Sequence, residues 1–275
     1  LMKSCRLIPL LFALLYAVVT AADSNIPLRG DTTQGGMVVG RVTPGTQIEF
    51  EGRNLRISPQ GWFVIGLNRD QSPNAVLRIT ARDGSRREQI VNVKARKYDI
   101  QRIDGLPAAK VSPSAKDLER INKENALIGA ARLVDTAITG FLSDFQWPVA
   151  GRISGVYGSQ RILNGKPKRP HYGVDIAAPS GTPVRAPAPG RVTLVHPDMF
   201  YSGATVNIDH GHGVSSIFIH MSEILVVEGQ DVDKGEVIGK VGASGRATGP
   251  HLHWGMNWFE ARLDPALLVG EMPNS

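Results

Sequence analysis

Punctuation is what most constrains the fold: 30 glycines and 18 prolines in 275 residues break most of the chain into runs too short for anything but strands. Between about residues 37 and 97, apolar and polar residues alternate over Thr46 to Glu51, Trp62 to Leu67, Ala75 to Ala81 and Gln89 to Ala95. Turn signals separate them at Ser58-Pro59-Gln60-Gly61, Gln71-Ser72-Pro73-Asn74 and Asp83-Gly84. A period of two with such spacing predicts half-buried strands in a small β-sandwich, with a hairpin at Asp83-Gly84. From Trp147-Pro148 onward the chain again predicts strands, over Gly190 to Val195, Thr205 to Asp209, Ser215 to His220, Glu236 to Val241 and His251 to Met256.

One segment has a different period. Leu118, Ile121, Ile128, Ala131, Val134 (or Asp135), Ile138 and Leu142 recur at three-, four- and seven-residue steps. Ser112 or Ser114 would cap a helix there, with Asp117 in its first turn, and the periodicity carries it to about residue 144 as a packing element without chemistry. The expected fold class is therefore mainly β: an N-terminal small β-sandwich (23–97, opening on a polar linker at 23–36), a connector with a linking α-helix (98–146), and a C-terminal antiparallel β-sheet domain (147–275).

Ahead of these, Lys3 and Arg6 precede an apolar run from Leu7 to Val19, and Thr20, Ala21 and Ala22 follow. The order matches a secretory signal peptide over 1–22. The run is about 13 residues, short of the ~20 that span a bilayer, so no stable membrane span is expected once the signal is removed. Cys5, the one cysteine, stands before the run, where a lipoprotein cysteine would follow it. Without residues 1–22 the chain has no cysteine, which excludes a disulfide, a thiol nucleophile and a thiolate metal site. The apolar fraction of 42% and charged fraction of 20% suit a globular protein. A net charge of +6 allows an acidic polymer as partner, but no dense basic run is interleaved with aromatics, so nucleic acid is not expected.

All seven histidines lie between His171 and His253. His171 and Asp175 are four residues apart, and His251-Leu252-His253 sets two imidazoles at period two, which on a strand turns both rings to one face and Leu252 to the other. Two histidines and an aspartate satisfy the three protein ligands of a catalytic zinc and leave one histidine of the triplet to handle protons. Spacing does not say which of His251 and His253 would ligate. His220, in Ile217-Phe218-Ile219-His220-Met221, lies on an apolar strand where burial demands a polar partner, and a catalytic cleft supplies one. Gly245, Gly249 and Pro250 shape the approach to the triplet. His210 and His212 read as a structural strand–turn element, and His196 as a surface loop residue.

The stretches HYGVDIAAPSGTPVRAPAPGRV (His171 to Val192) and GQDVDKGEVIGKVGASGRATGPHLHW (Gly229 to Trp254) resemble the lysostaphin/LytM-type zinc peptidases, whose motifs are matched in order over roughly residues 150–265. The resemblance implies a LytM-like antiparallel sheet with a narrow groove and one Zn2+ per chain. It also implies that His171, Asp175 and His253 ligate the metal while His220 and His251 form the catalytic pair. Phe218, Met221 and Trp254-Gly255-Met256 depart from the family pattern and are expected to bear on groove shape. The implied function is an endopeptidase of peptidoglycan cross-links in a periplasmic or secreted setting, of Gram-negative type, with the D-alanyl–diaminopimelate bond as target. The alternatives are a non-catalytic regulator of wall amidases and a glycyl-glycine endopeptidase. The region before residue 146 is expected to cover the groove and hold the enzyme latent.

Overall fold

The computed structural model describes residues 25–106 and 111–273. The expected signal segment, 1–22, lies outside the described residues. The architecture is β1 Leu28–Gly30, β2 Met37–Arg41, β3 Gln47–Phe50, β4 Arg53–Asn54, β5 Trp62–Gly66, β6 Asn74–Thr80, β7 Arg86–Asn92 and β8 Ile100–Ile103, then helix α1 Ala115–Arg132. The C-terminal strands follow: β9 Arg152–Gly155, β10 Gln160–Leu163, β11 Lys166–Pro167, β12 Val174–Ala177, β13 Pro183–Arg185, β14 Gly190–Met199 and β15 Gly203–Gly211. The last are β16 Val214–Ile224, β17 Asp231–Val232, β18 Val237–Val241, β19 Leu252–Trp258 and β20 Ala261–Leu263.

The N-terminal region forms two sheets, β1-β2-β5 and β4-β3-β6-β7. Alternation decides their faces: Ile48, Phe50, Ala75, Leu77, Ile79 and Val91 are buried while their neighbours in sequence face out. The β6–β7 hairpin forms where Asp83-Gly84 predicts it, with Gly84 at φ +85° and the Asp83 carboxylate accepting from the Ser85 amide at 2.9 Å. The expected linker at 23–36 is in part a strand, because β1 pairs antiparallel with β2 and places Leu28 opposite Gly40. A short edge strand of this kind carries no apolar alternation of its own, so pattern alone passes over it.

The helix begins as expected, with a reciprocal capping box between Ser114 and Asp117. It stops at Arg132, well before residue 144. Beyond it the β-branched residues Thr136, Ile138 and Thr139 disfavour helix, and tertiary partners take the backbone instead. The Thr136 hydroxyl bonds Asp209, the Thr136 carbonyl accepts from the His212 amide at 3.0 Å, and Asp135 pairs with Arg56 at 2.7 Å. The helix packs Ala131, with Ile128, against Leu194 and Met199 of the β14 hairpin, and Glu124 accepts from the Phe200 amide at 2.7 Å. No described helix is long and apolar enough to cross a membrane.

Most of the C-terminal region is one sheet ordered β17-β14-β15-β16-β19-β12-β9, with β18 and β20 added beside β16 and β19 and β13 beside β18, while β10 and β11 form a separate sheet with β8. The N-terminal sheets share a continuous buried cluster with it. Phe50 lies 5.7 Å from Trp258 between ring centroids, and a Cβ on Gly66 would sit 2.4 Å from that of Trp258. Arg96 ties the connector to the buried Asp264 at 2.7 Å. His196 is not a loop residue: it lies half-buried within β14, opposite Thr205. The ten-residue span of β14 takes it in because irregularities in the ladder let the strand continue past Pro197.

Candidate metal centre and active site

Register brings the first two residues of the site together. In the β12–β19 pair, Asp175 stands directly opposite His253, and Ile176 opposite Leu252. Residues so opposed share a face at the closest spacing a sheet offers. Leu252 points the other way into the core, fully buried, as the period of the triplet requires. His171 precedes β12 and is anchored by its amide to Ser159 O and by its carbonyl to Gly158 N. Its Nε2 lies 3.0 Å from Asp175 Oδ1 and 2.8 Å from His253 Nδ1, and His253 Nδ1 lies 2.8 Å from Asp175 Oδ1.

Two glycines make this convergence sterically possible. A Cβ at Gly155, opposite Asp175 on β9, would fall 2.3 Å from Asp175 Oδ2, and one at Gly173 would fall 2.7 Å from the His253 ring. Neither separation is tolerated, so both positions need a residue without a side chain.

The donor set tests whether a metal fits. His171 Nδ1 lies 3.0 Å from Val156 O, and because a carbonyl only accepts, that nitrogen carries the hydrogen and Nε2 presents its lone pair. A bare imidazole nitrogen, a carboxylate oxygen and a second imidazole nitrogen, pairwise within 3.0 Å, form a donor set that suits a cation between them. Zinc bonds of about 2.0–2.1 Å would set ligand atoms about 3.3 Å apart in a tetrahedral shell, a small outward relaxation of what is seen. His171, Asp175 and His253 are the His, Cys, Asp and Glu residues whose ligand atoms come together in this way among the described residues, and the ligand types suit zinc.

His220 reaches the site by a device that periodicity does not reveal. Ile219 is opposite His253 in the β16–β19 pair and lines the same cavity, so a regular strand would turn His220 to the core face with Phe218. The β15–β16 register instead shifts at this point, and His220 adopts φ +66°. That left-handed bulge, sparsely populated for a residue with a side chain, re-aims the ring. It ends 4.8 Å from His251 and 6.5 Å from His253 between ring centroids. His251 lies just before β19, bridged to Gly242, with Nε2 4.0 Å from Asp175 Oδ1. His220 Nδ1 donates to Ser244 O at 2.8 Å and His251 Nδ1 to Gly249 O at 2.9 Å. Backbone carbonyls therefore select one tautomer in both rings and leave each Nε2 bare.

Electrostatics favour the neutral form of His220 and His253. Burial pushes His220 down to about 3, helped by the neighbouring His251 and His253. Burial likewise pushes His253 to about 4 against the pull of Asp175. Burial opposes ionisation of Asp175, yet hydrogen bonds and charge from His171 and His253 hold it well below the usual carboxylate range. Arg161, which sequence reasoning passed over, donates from Nη2 to Asp175 Oδ2 at 2.5 Å and so orients the carboxylate whose other oxygen faces the imidazoles. Its only signal was its place ten residues before His171 and fourteen before Asp175, which names no partner. Gly155 and Gly173 were missed for the same reason.

Arg161 sits on β10, which pairs in parallel with β8 from the connector, and Arg161 Nε donates to Gln101 Oε1 at 3.1 Å. Gln101, Ile103 and Leu106 thereby line a cavity of about 310 Å³ together with Asp175, His220 and His251. The family departures fall elsewhere. Phe218, Met221, Trp254 and Met256 are fully buried on the core face, so these four pack beneath the site and do not shape the groove as expected, whereas Gly255 shares the face of His253, where a Cβ would sit 3.6 Å from its Nε2. His210 is buried with Nδ1 at 2.8 Å from Pro189 O and Nε2 at 2.8 Å from Ser216 Oγ, a structural histidine as its sequence position suggested.

Residues 169–265, which hold the whole constellation except His171's upstream partners, match Peptidase family M23. A crystal structure described as a putative peptidase M23 from Pseudomonas aeruginosa is similar over 87% of this chain and 96% of its own, at 33% identity and a TM-score of 0.70. The DD-carboxypeptidase/endopeptidase Mpg of Neisseria meningitidis serogroup B is 48% identical over 96 residues, 35% of this chain and 21% of that protein. The peptidoglycan DD-endopeptidase ShyA of Vibrio cholerae serotype O1 is 43% identical over 115 residues, 40% of this chain and 25% of that protein. The match thus spans about a fifth to a quarter of these curated relatives. Likeness along nearly the full length of the Pseudomonas aeruginosa chain, with the motif match across the site, establishes that this chain belongs to peptidase family M23.

Proposed function

We propose that this protein is a zinc metalloendopeptidase that hydrolyses peptide cross-links of peptidoglycan, with the D-alanyl–diaminopimelate bond as target, in the periplasm or outside the cell. The observation that carries this reading is the meeting of His171 Nε2, Asp175 Oδ1 and His253 Nδ1 within 3.0 Å of one another, beside two further imidazoles with bare Nε2 atoms. His171, Asp175 and His253 would hold one zinc ion, which when bound supplies a Lewis acid that acidifies water and polarises a carbonyl.

The remaining chemistry belongs to the chain. His220 and His251 each have Nδ1–H fixed on a carbonyl, so Nε2 takes the proton from the attacking water. Once protonated, the same N–H donates to the developing oxyanion or to the departing amine. Arg161 keeps Asp175 aimed, and the chain entering β19 holds His251 and His253 two residues apart. The peptidoglycan substrate rests on the relatives' names, ShyA as a peptidoglycan DD-endopeptidase and Mpg as a DD-carboxypeptidase/endopeptidase.

The test pairs zinc content with hydrolysis of isolated wall peptides, with new termini identified by mass spectrometry. New D-alanyl and diaminopimelyl ends support the reading, whereas glycyl ends would assign a glycyl-glycine endopeptidase and intact peptides a regulator without turnover.

A further inference from the structure

A second cavity, of about 430 Å³, opens beside His171, His220 and His253 on the side away from β8, and its lining has an unusual charge balance. Six cations face it, Arg132, Arg161, Lys168, Arg169, Arg246 and Arg262, and no acidic side chain does. Four of the six have work elsewhere. Arg161 pairs with Asp175, Lys168 donates to Val111 O at 2.8 Å, and Arg246 stacks 4.3 Å over Tyr201. Arg262 donates to Asn257 at 2.8 Å and lies 5.4 Å over Tyr172. Arg132, the last residue of α1, is different: its Nε is buried with no hydrogen-bond partner among the described residues.

A cation in the last turn of a helix is favoured by the helix dipole. That does not explain a guanidinium half-buried beside two others. Burial, and the charges of Arg262 and Arg169, push Arg132 down to about 9, and burial pushes Arg262 to about 10. Both remain charged at neutral pH, so the molecule holds repelling, poorly solvated cations side by side with no carboxylate among the described residues that line the cavity. An anion in the cavity supplies the missing partner, and a guanidinium fork matches a carboxylate in two hydrogen bonds.

We propose that this cavity is a carboxylate-binding subsite, in which Arg132 and Arg169, with Arg262 beside them, receive an acidic group of the peptide substrate next to the bond that is cut. The inference rests on the peptidase reading for the identity of its ligand: wall peptides built on diaminopimelate carry carboxylates near the cross-link, and glycyl bridges carry none. The cavity shares His171, His220 and His253 with the metal centre, so a peptide placed for hydrolysis sets its neighbouring residue among the arginines. The arginines would then select acidic stem peptides over neutral bridges.

The test is calorimetric binding of a D-alanyl–diaminopimelate peptide with free carboxylates, and of the same peptide with its carboxyls amidated, to the full chain. The native protein should bind the acid form about tenfold more tightly. Arg132→Gln should remove most of that preference while leaving the amidated peptide, zinc content and circular dichroism unchanged. Arg169→Gln, at an exposed position, gives the same readout without touching the helix. Equal affinity of the native protein for the two peptides, binding of neither, or equal weakening of both by the variants overturns the subsite. Because binding is read without turnover, a protein that shows the preference yet cuts nothing refutes the peptidase reading and leaves the subsite standing.

Discussion

Two groups of buried histidines sit within one sheet and behave differently. His210, on β15, has both ring nitrogens engaged, by Pro189 O and Ser216 Oγ. His171, His220 and His251 each have Nδ1 tied to a backbone carbonyl and Nε2 left to the cleft. Burial pushes His210 down to about 4, as it does His253. Neither burial nor a depressed proton affinity therefore marks the functional imidazoles. The mark is an uncommitted nitrogen pointing where others also point.

The sharpest break between the groups is expected in turnover. His251→Ala or His220→Ala should lower kcat by about 10²–10⁴ while zinc stays bound, and His171→Ala should lose both zinc and hydrolysis. Zinc content measured alongside cleavage checks this, and a fully active His251→Ala protein would contradict the assignment. Next in size is the glycine effect. Gly173→Ala places a Cβ against the His253 ring and Gly155→Ala places one against Asp175. Each should weaken zinc binding by about 10–100-fold, the range seen when the support of a ligand is disturbed, as read by competition with a chelator.

His210→Ala should act on stability alone. Loss of a buried ring and its two hydrogen bonds should cost about 2–3 kcal/mol, with zinc stoichiometry and kcat per folded molecule unchanged. The pH dependence follows from the same residue. Its folded-state value of about 4 lies below the ordinary 6.5, so the unfolded chain binds more protons between those limits. Stability should climb as pH rises from about 4 to 6.5 and level off above, by about 3 kcal/mol from His210. Denaturant unfolding across that range should show the slope in the native protein and a shallower one in His210→Ala. The smallest expected effect concerns β8. If the connector strand restrains the groove, Gln101→Ala with Ile103→Ala should raise kcat/KM by a few-fold, and unchanged activity removes the idea of latency.

His171, Asp175 and the His251/His253 pair were legible as candidates because H-x-H on a strand and H-x-x-x-D before one are patterns set by backbone period, while the choice of His253 over His251 came from the family resemblance alone. The strands of both β regions were legible for the same reason, as was the capped start of α1. What stayed hidden depends on partners distant in sequence. The end of α1 is decided by Asp209 and Arg56, and β1 and β8 exist through their pairing with β2 and β10. The orientation of His220 depends on a bulge that reverses what alternation predicts. Arg161, Arg132 and the two crowded glycines acquire meaning only when Asp175 and His253 are seen beside them.

Anomalous diffraction at the zinc edge, from crystals of the protein loaded with one equivalent of zinc, tests the central claim most directly. The account predicts a single peak about 2.0–2.2 Å from His171 Nε2, Asp175 Oδ1 and His253 Nδ1, with His220 and His251 outside bonding distance. A peak bonded to His220 or His251 in place of these ligands, or one elsewhere in the molecule, would contradict it.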